Sequence, residues 1–291
     1  MTRGPMRHRG GADEGGRERP PAPEPLPHPV VDNHCHLDMA DGEWLDTATA
    51  IARAAAVGVP RIVQIGCDLP GAQWAVDAAR EHDALVAGVA LHPNEAPRLA
   101  AEGRLDEALA EIERLAQAHD KVRAVGETGL DHFRTGTEGW GLQVESFARH
   151  LDLAKRLDKT LVIHDRDAHD EVLEVIDAEG APERWVMHCF SGNPRFARAC
   201  LDRGAFLSFA GTVTFKNAQP VRDALAVTPQ DRVLVETDAP FLTPTPYRGR
   251  PNASYLVPVT MRAMAEVRGE DLGDLCAAVE ANTERAFGGP W

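Results

Sequence analysis

Eight short runs rich in Val, Ile, Leu and Ala recur along the chain, each separated from the next by a longer stretch of helical period. This alternation constrains the fold more than any other feature. The runs are VVDNH (30–34), RIVQIG (61–66), ALVAGVA (84–90), VRAVGE (122–127), TLVIHD (160–165), RWVMHC (184–189), AFLSF (205–209) and RVLVETD (232–238). Near-continuous apolar runs of this length are the pattern of strands buried on both faces, as in parallel sheets covered by helices. Between them, Leu105, Leu109, Ile112 and Leu115 mark one amphipathic stripe, and Val144, Phe147, Leu151 and Ala154 mark another. Eight is the number of parallel strands that closes into a (β/α)8 barrel, and residues 30–291 match the roughly 250 residues such a barrel takes. One α/β domain, a TIM-type barrel over 30–291, is therefore expected.

Residues 1–29 read differently. They hold seven prolines, five glycines and five arginines, with Leu26 the one large aliphatic besides two methionines. Such a segment buries too little apolar surface to offset its chain entropy, so a disordered, solvated tail is expected. It contains no apolar h-region, and no run of 18 apolar residues occurs elsewhere, so neither export nor a membrane span is expected. The five cysteines are odd in number and never in C-x-x-C spacing, which argues for a reducing cytoplasm and against a disulfide framework or structural zinc knot. A net charge of −14 excludes nucleic-acid binding by a bulk basic surface. Any grip on phosphate must be local, or supplied by metal.

The chemistry-bearing residues cluster by strand position. His34 and His36 close the first run, Glu127 the fourth, His164 the fifth, His188 the sixth and Asp238 the eighth. In a (β/α)8 barrel the C-terminal strand ends converge on the face that carries the active site, so six ligand-type residues would point into one cup. Each has a bland alternative: a packed neutral histidine, a salt-bridged Glu127, an Asp238 that caps the turn into Ala239 and Pro240. All of those alternatives would have to hold at once, always at the same end of the sheet. A metal site explains them together. Four imidazoles and two carboxylates exceed what one cation needs, so two divalent ions are expected, with Glu127 as the bridge. Imidazole-rich ligation suits Zn, while the carboxylates suit Mn or Mg.

The other histidines divide by place. His8, His28, His82, His119 and His150 read as surface residues, whereas His92 follows the third run and is a candidate substrate contact; His132 and His169 share that face. Cys35 and Cys189 neighbour presumed ligands, but strand alternation should turn both away as buried structural thiols. Arg166, two residues beyond His164, is placed to fork onto a phosphate, Lys216, Arg248 and Arg250 follow the seventh and eighth runs, where barrels often bind phosphate, and Tyr247 is a candidate to stack on a base or a plain surface tyrosine.

VDNHCHLD (31–38), VGETGLDHF (125–133), IHDRDAHDE (163–171), HCFSG (188–192), SFAGTVTFKNA (208–218) and VETDAPFLTPTPYRGRPN (235–252) together resemble the TatD family of metal-dependent deoxyribonucleases. The resemblance runs from about Val30 to Phe287. It implies a barrel of the metallo-dependent hydrolase superfamily and hydrolysis of DNA, single-stranded or from 3′ ends, with no obligate protein partner. It also implies one ion on His34, His36, Glu127 and Asp238, a second on Glu127, His164 and His188, and Asp238 as the residue that orients or deprotonates the attacking water. Where the family commonly has a tyrosine after its GLD motif, this chain has His132 and Phe133. The same donors would also serve a metal-dependent deacylase or amidohydrolase, such as one acting on mischarged D-aminoacyl-tRNA, and a binding module with a vestigial site is a third class. Many amidohydrolases of the superfamily carry a carbamylated lysine on the fourth strand, where Glu127 stands, and this favours the nuclease.

Overall fold

Eight parallel strands wind in chain order through one sheet: β1 (Val31–Cys35), β2 (Arg61–Gly66), β3 (Leu85–Val89), β4 (Val122–Asp131), β5 (Thr160–Arg166), β6 (Trp185–Met187), β7 (Phe206–Phe209) and β8 (Val233–Val235). The computed structural model describes residues 7–8, 18–42 and 44–289. All eight strands coincide with the apolar runs of the sequence, including 205–209. The sheet curls until its two edges meet beyond β1 and β8, where Cys35 bridges Ala239, Asp238 N–H donates to His34 C=O at 2.9 Å and His36 N–H donates to Ala239 C=O at 2.8 Å.

Strand alternation sorts the core into two layers. Val31, Val63, Ile65, Val86, Ala124, Val162, Val186, Phe206 and Leu234 fill the barrel interior, closed below by Phe287. Their neighbours Ile62, Leu85, Val125, Leu161, Ile163, Trp185, Leu207 and Val233 face outward into the helix layer. That layer is α1 (Thr47–Ala55), α2 (Leu69–Glu81), α3 (Glu95–Ala101), α4 (Leu105–Ala116), α5 (Thr137–Arg156), α6 (His169–Glu179), α7 (Pro194–Leu201), α8 (Gln219–Val227), α9 (Val257–Arg268) and α10 (Leu272–Phe287). The stripe Leu105, Leu109, Ile112, Leu115 lies buried on α4, and Phe147, Leu151 and Ala154 lie buried on α5 with Val144 half-buried. Among the described residues no helix is long and apolar enough to cross a membrane.

Two irregularities sit where the site residues are. The β1–β2 register shifts between Asp32 and Cys35, and the β4–β5 register shifts between Val125 and Thr128. Breaks of this kind re-aim side chains, here around His34 and Glu127. Gly129, at φ +134°, lets β4 pass β5: a Cβ there would meet His164 O at 2.1 Å. Only glycine fits.

Part of the segment expected to be a solvated tail is docked on the barrel. Residues 18–29 lie on the body: Leu26 is buried and its N–H donates to Val57 C=O, while Tyr255 Oη donates to Pro20 C=O at 2.7 Å. Arg250 bonds the carbonyls of Glu18 and Arg19, Arg262 that of Pro25, and His28 meets Glu280 at 2.7 Å. Arginines and a tyrosine of the body satisfy the segment's carbonyls, so it docks with little apolar burial of its own. Of residues 1–17, only Arg7–His8 is described, as a parallel pair with Met39–Ala40.

Candidate metal centre

Glu127 is the hub. It lies within β4, 4% exposed, and its two oxygens face different groups. Oε2 stands 3.5 Å from His34 Nε2 and 4.0 Å from His36 Nε2; Oε1 stands 2.7 Å from His164 Nδ1, 3.4 Å from His188 Nε2 and 3.7 Å from His92 Nε2. Asp238 Oδ1 completes the first group, 3.3 Å from His36 Nε2 and 3.9 Å from His34 Nε2. The six residues singled out by strand position thus share one cup, with His92 beside them.

His36 is oriented by its other nitrogen, where Nδ1 lies 3.0 Å from Ile65 C=O. His188 and Asp238 sit just past their strands, and Asp238 adopts a left-handed φ of 54° that turns its carboxylate off the strand alternation. Cys189 does the same at φ 46°, and this corrects the expectation that it points away: its sulfur lies within 4.8 Å of a nitrogen of His188 and an oxygen of Asp238. β6 ends at Met187, so period-two reasoning no longer applied. Cys35 is fully buried, as expected.

The electrostatics divide the imidazoles of the cup: burial and His188 push His34 down, and burial and His164 push His92 down to about 3, while the rings nearest the carboxylates are raised. Burial alone would lower the pKa of His36, yet Asp238 and Glu127 raise it to about 9; burial likewise opposes His164, which Asp131 and Glu127 raise to about 9. Burial would raise Glu127, but the charges of His188 and His92 and hydrogen bonding by His164 hold it well below the usual carboxylate range. A field that draws protons onto imidazoles draws divalent cations in competition with them. His34 supplies a direct test of fit. Its ring is fully buried, yet neither nitrogen has a hydrogen-bond partner, an expensive arrangement for a histidine and an economical one for a ligand. The groups His34, His36, Glu127 and Glu127, His164, His188 each bring donor atoms within 4.8 Å of one another.

Around the cup lie the expected substrate contacts. Arg166 stacks its guanidinium 3.8 Å over Phe133, which is 64% exposed, and Arg248 lies 3.6 Å over Phe215. Lys216 is exposed in the loop after β7. Tyr247 is half-buried beneath Arg250 at 5.7 Å, and Arg250 is taken up by Glu18 and the carbonyls of residues 18 and 19, so it is not available to substrate. Among the described residues, Arg134, Arg166, Lys216 and Arg248 make no side-chain hydrogen bond or ion pair, as is also true of Arg53, Arg198 and Arg232 elsewhere, whereas Arg61, Arg98, Arg114, Arg156 and Arg203 are paired.

Four participants escaped the sequence reading. Glu236 lies fully buried against His188; Asp131 Oδ2 stands 3.4 Å from His164 Nε2; Cys67 Sγ donates to Glu127 Oε2 at 3.3 Å; and Arg134 follows β4. The signal was present in one of them, since Glu236 is a carboxylate inside the apolar run 232–238, whereas Asp131 lies beyond the run 122–127 at the end of β4. His150, read as a surface residue, is buried and accepts the Leu91 N–H at 3.1 Å. It satisfies a backbone donor below His92. His132 stacks on Trp140 and His169 pairs with Asp165, so both serve the rim.

A family model described as TatD related DNase matches residues 31–288. An uncharacterized metal-dependent hydrolase from Mycobacterium tuberculosis, named TatD, is 44% identical over 267 residues, spanning 90% of this chain and 99% of its own length. The uncharacterized metal-dependent hydrolase YabD of Bacillus subtilis is 37% identical over 89% of this chain and 98% of its own. Among solved structures, the TatD homologue YjjV of Escherichia coli superposes with a TM-score of 0.80 at 28% identity, covering 90% of this chain and 98% of that one.

Proposed function

This chain belongs to the TatD-related DNase family of metal-dependent hydrolases, and from that premise we propose that it cleaves phosphodiester bonds of DNA, from 3′ ends, at a site for two divalent cations. His34, His36, Glu127 and Asp238 would hold one ion and Glu127, His164 and His188 the other, with Glu127 between them through its two oxygens. Bound there, such ions polarise phosphoryl oxygens and acidify water. Zn, Mn and Mg are all admitted by the donor set.

The observation that carries the substrate class is the ring of uncommitted cations. In a chain of net charge −14, Arg134 follows β4, Arg166 ends β5, and Lys216 and Arg248 follow β7 and β8, all at the end of the barrel that carries the cup, and among the described residues their side chains make no hydrogen bond or ion pair. That is a local grip on a polyanion, which DNA and tRNA share; Glu127, standing where many amidohydrolases carry a carbamylated lysine, favours the phosphodiester over the acyl bond. Arg166 would hold a phosphate next to the scissile one, Lys216 and Arg248 the backbone beyond it, and Tyr247 and His92 would border the leaving side. Asp238, acceptor-only and aimed into the cup, would orient the attacking water and take its proton. The test is metal-stripped protein resupplied with Mg, Mn or Zn and offered end-labelled single-stranded DNA, RNA and aminoacyl-tRNA. Metal-dependent shortening of DNA from the 3′ end is expected; deacylated tRNA with intact DNA would refute the proposal.

A further inference from the structure

Glu236 is fully buried and one of its oxygens is overcommitted while the other is idle. Oε1 accepts from Cys189 N–H at 3.0 Å and also stands 2.9 Å from His188 Nδ1, off the line of a regular hydrogen bond, so that Oε2 and His188 Nδ1 are both left without a hydrogen-bond partner. A buried carboxylate oxygen without a partner is costly, so its retention calls for a reason beyond holding one backbone amide. His188 and His34 stack face to face, ring centroids 3.5 Å apart and 18° from parallel, and a nitrogen of each lies within 4.8 Å of a Glu236 oxygen. The carboxylate therefore lies against the pair from the side opposite Glu127, which His188 reaches through Nε2.

From this geometry we infer that Glu236 is the positioning residue that fixes which nitrogen of His188 faces the metal cup. Oε1 is already accepting from Cys189, so an imidazole nitrogen 2.9 Å away must bring a hydrogen, because two lone pairs at that distance repel. The proton is held on Nδ1, and Nε2 is left to present its lone pair beside Glu127. Carboxylate–histidine pairs of this kind orient ligand rings and raise their basicity, and losing the outer partner weakens metal affinity about 10- to 100-fold. Asp131 is related to His164 in the same sense, with its carboxylate on Nε2 while Nδ1 faces Glu127. The inference rests on the reading of His188 as a ligand.

Zinc titration of the full chain against a competing chelator reads affinity and stoichiometry without any turnover. Wild type is compared with Glu236→Gln, Glu236→Ala and His188→Ala, each checked by thermal melting; the isosteric Gln variant carries the test if the Ala variant does not fold. Both Glu236 variants should keep the wild-type number of zinc ions and bind one of them about 10- to 100-fold more weakly. NMR of isotope-labelled histidines in the zinc-loaded protein should show the His188 proton on Nδ1, exchanging faster in the Glu236 variants. Unchanged affinity in them alongside weakened binding in His188→Ala would overturn the positioning role and leave the ligand reading intact. Loss of an ion in Glu236→Gln would overturn it by making Glu236 itself a ligand. Unchanged affinity in His188→Ala would overturn the ligand reading on which the inference stands.

Discussion

Removing residues 2–29 should cost stability that removing residues 2–17 does not. The shorter deletion takes away, of the described residues, only the two-residue pairing of Arg7–His8 with Met39–Ala40. The longer one removes Leu26, 8% exposed and packed against Val57 and Gly58, together with the carbonyl partners of Tyr255, Arg250 and Arg262. Truncating a buried leucine to alanine costs about 2–5 kcal/mol, and the peripheral place of Leu26 argues for the lower half. The Tyr255 hydroxyl is uncovered when the segment leaves, so it exchanges Pro20 for water and adds about 0.5–1.5 kcal/mol, and the exposed arginines add little. The sum is roughly 2.5–5 kcal/mol for the long deletion and about 2–3 kcal/mol for Leu26→Ala alone. At about 2–4 °C per kcal/mol for a domain somewhat smaller than this one, Leu26→Ala should melt about 4–10 °C below wild type. Urea unfolding with an unchanged slope gives the free energy directly. The longer deletion should also raise the KM for DNA, because residues 18–25 brace the loop that carries Arg248. A Leu26→Ala variant within about 0.5 kcal/mol of wild type would refute the reasoning.

Asp238→Asn keeps one ligating oxygen but cannot take a proton; turnover on DNA should fall about 10²- to 10⁴-fold with substrate still bound, and wild-type turnover at confirmed metal occupancy would remove Asp238 from the chemistry. Arg166→Ala should raise KM with metal content unchanged, and loss of metal would contradict its assignment to phosphate. His150, buried and held neutral with its pKa pushed down to about 4 from 6.5, contributes stability present above pH 6.5 and lost as pH falls towards 4. That is about 3 kcal/mol, so the stability deficit of His150→Gln at pH 7 should shrink by about that much at pH 4; parallel pH profiles of the two proteins would sink the idea.

Strand-borne features were legible because burial writes them into composition. RIVQIG and TLVIHD are strands for the same reason that they are apolar, and His34, His36, Glu127 and His164 could be placed by counting to their ends. The reading lost resolution where the chain leaves the strand. Cys189 turned into the cup because it is itself left-handed, two residues past the end of β6, and residues 18–29 docked through their carbonyls, which leave no trace in side-chain identity. Glu236 was passed over for a different reason. Asp238, two residues on, shares its run and had already supplied a plausible donor, yet the buried carboxylate inside VLVETD was the stranger residue of the two.

The seam between β1 and β8 has a consequence for how the molecule holds together. Every other pair of neighbouring strands in the sheet is joined by a ladder, but these two meet at an isolated bridge, a few backbone bonds and the Asp32 carboxylate, which grips Thr237 across 205 residues of chain. His36 and Asp238 stand on opposite sides of that seam, 3.3 Å apart. An ion taken by both is therefore a staple across the largest loop in the fold, worth about 2.7 kcal/mol when free metal stands at a hundredfold its dissociation constant. Catalytic competence and closure of the barrel would then be gained and lost together. A chain that has not yet docked its last strand would lack Asp238 at the seam and could not retain that ion.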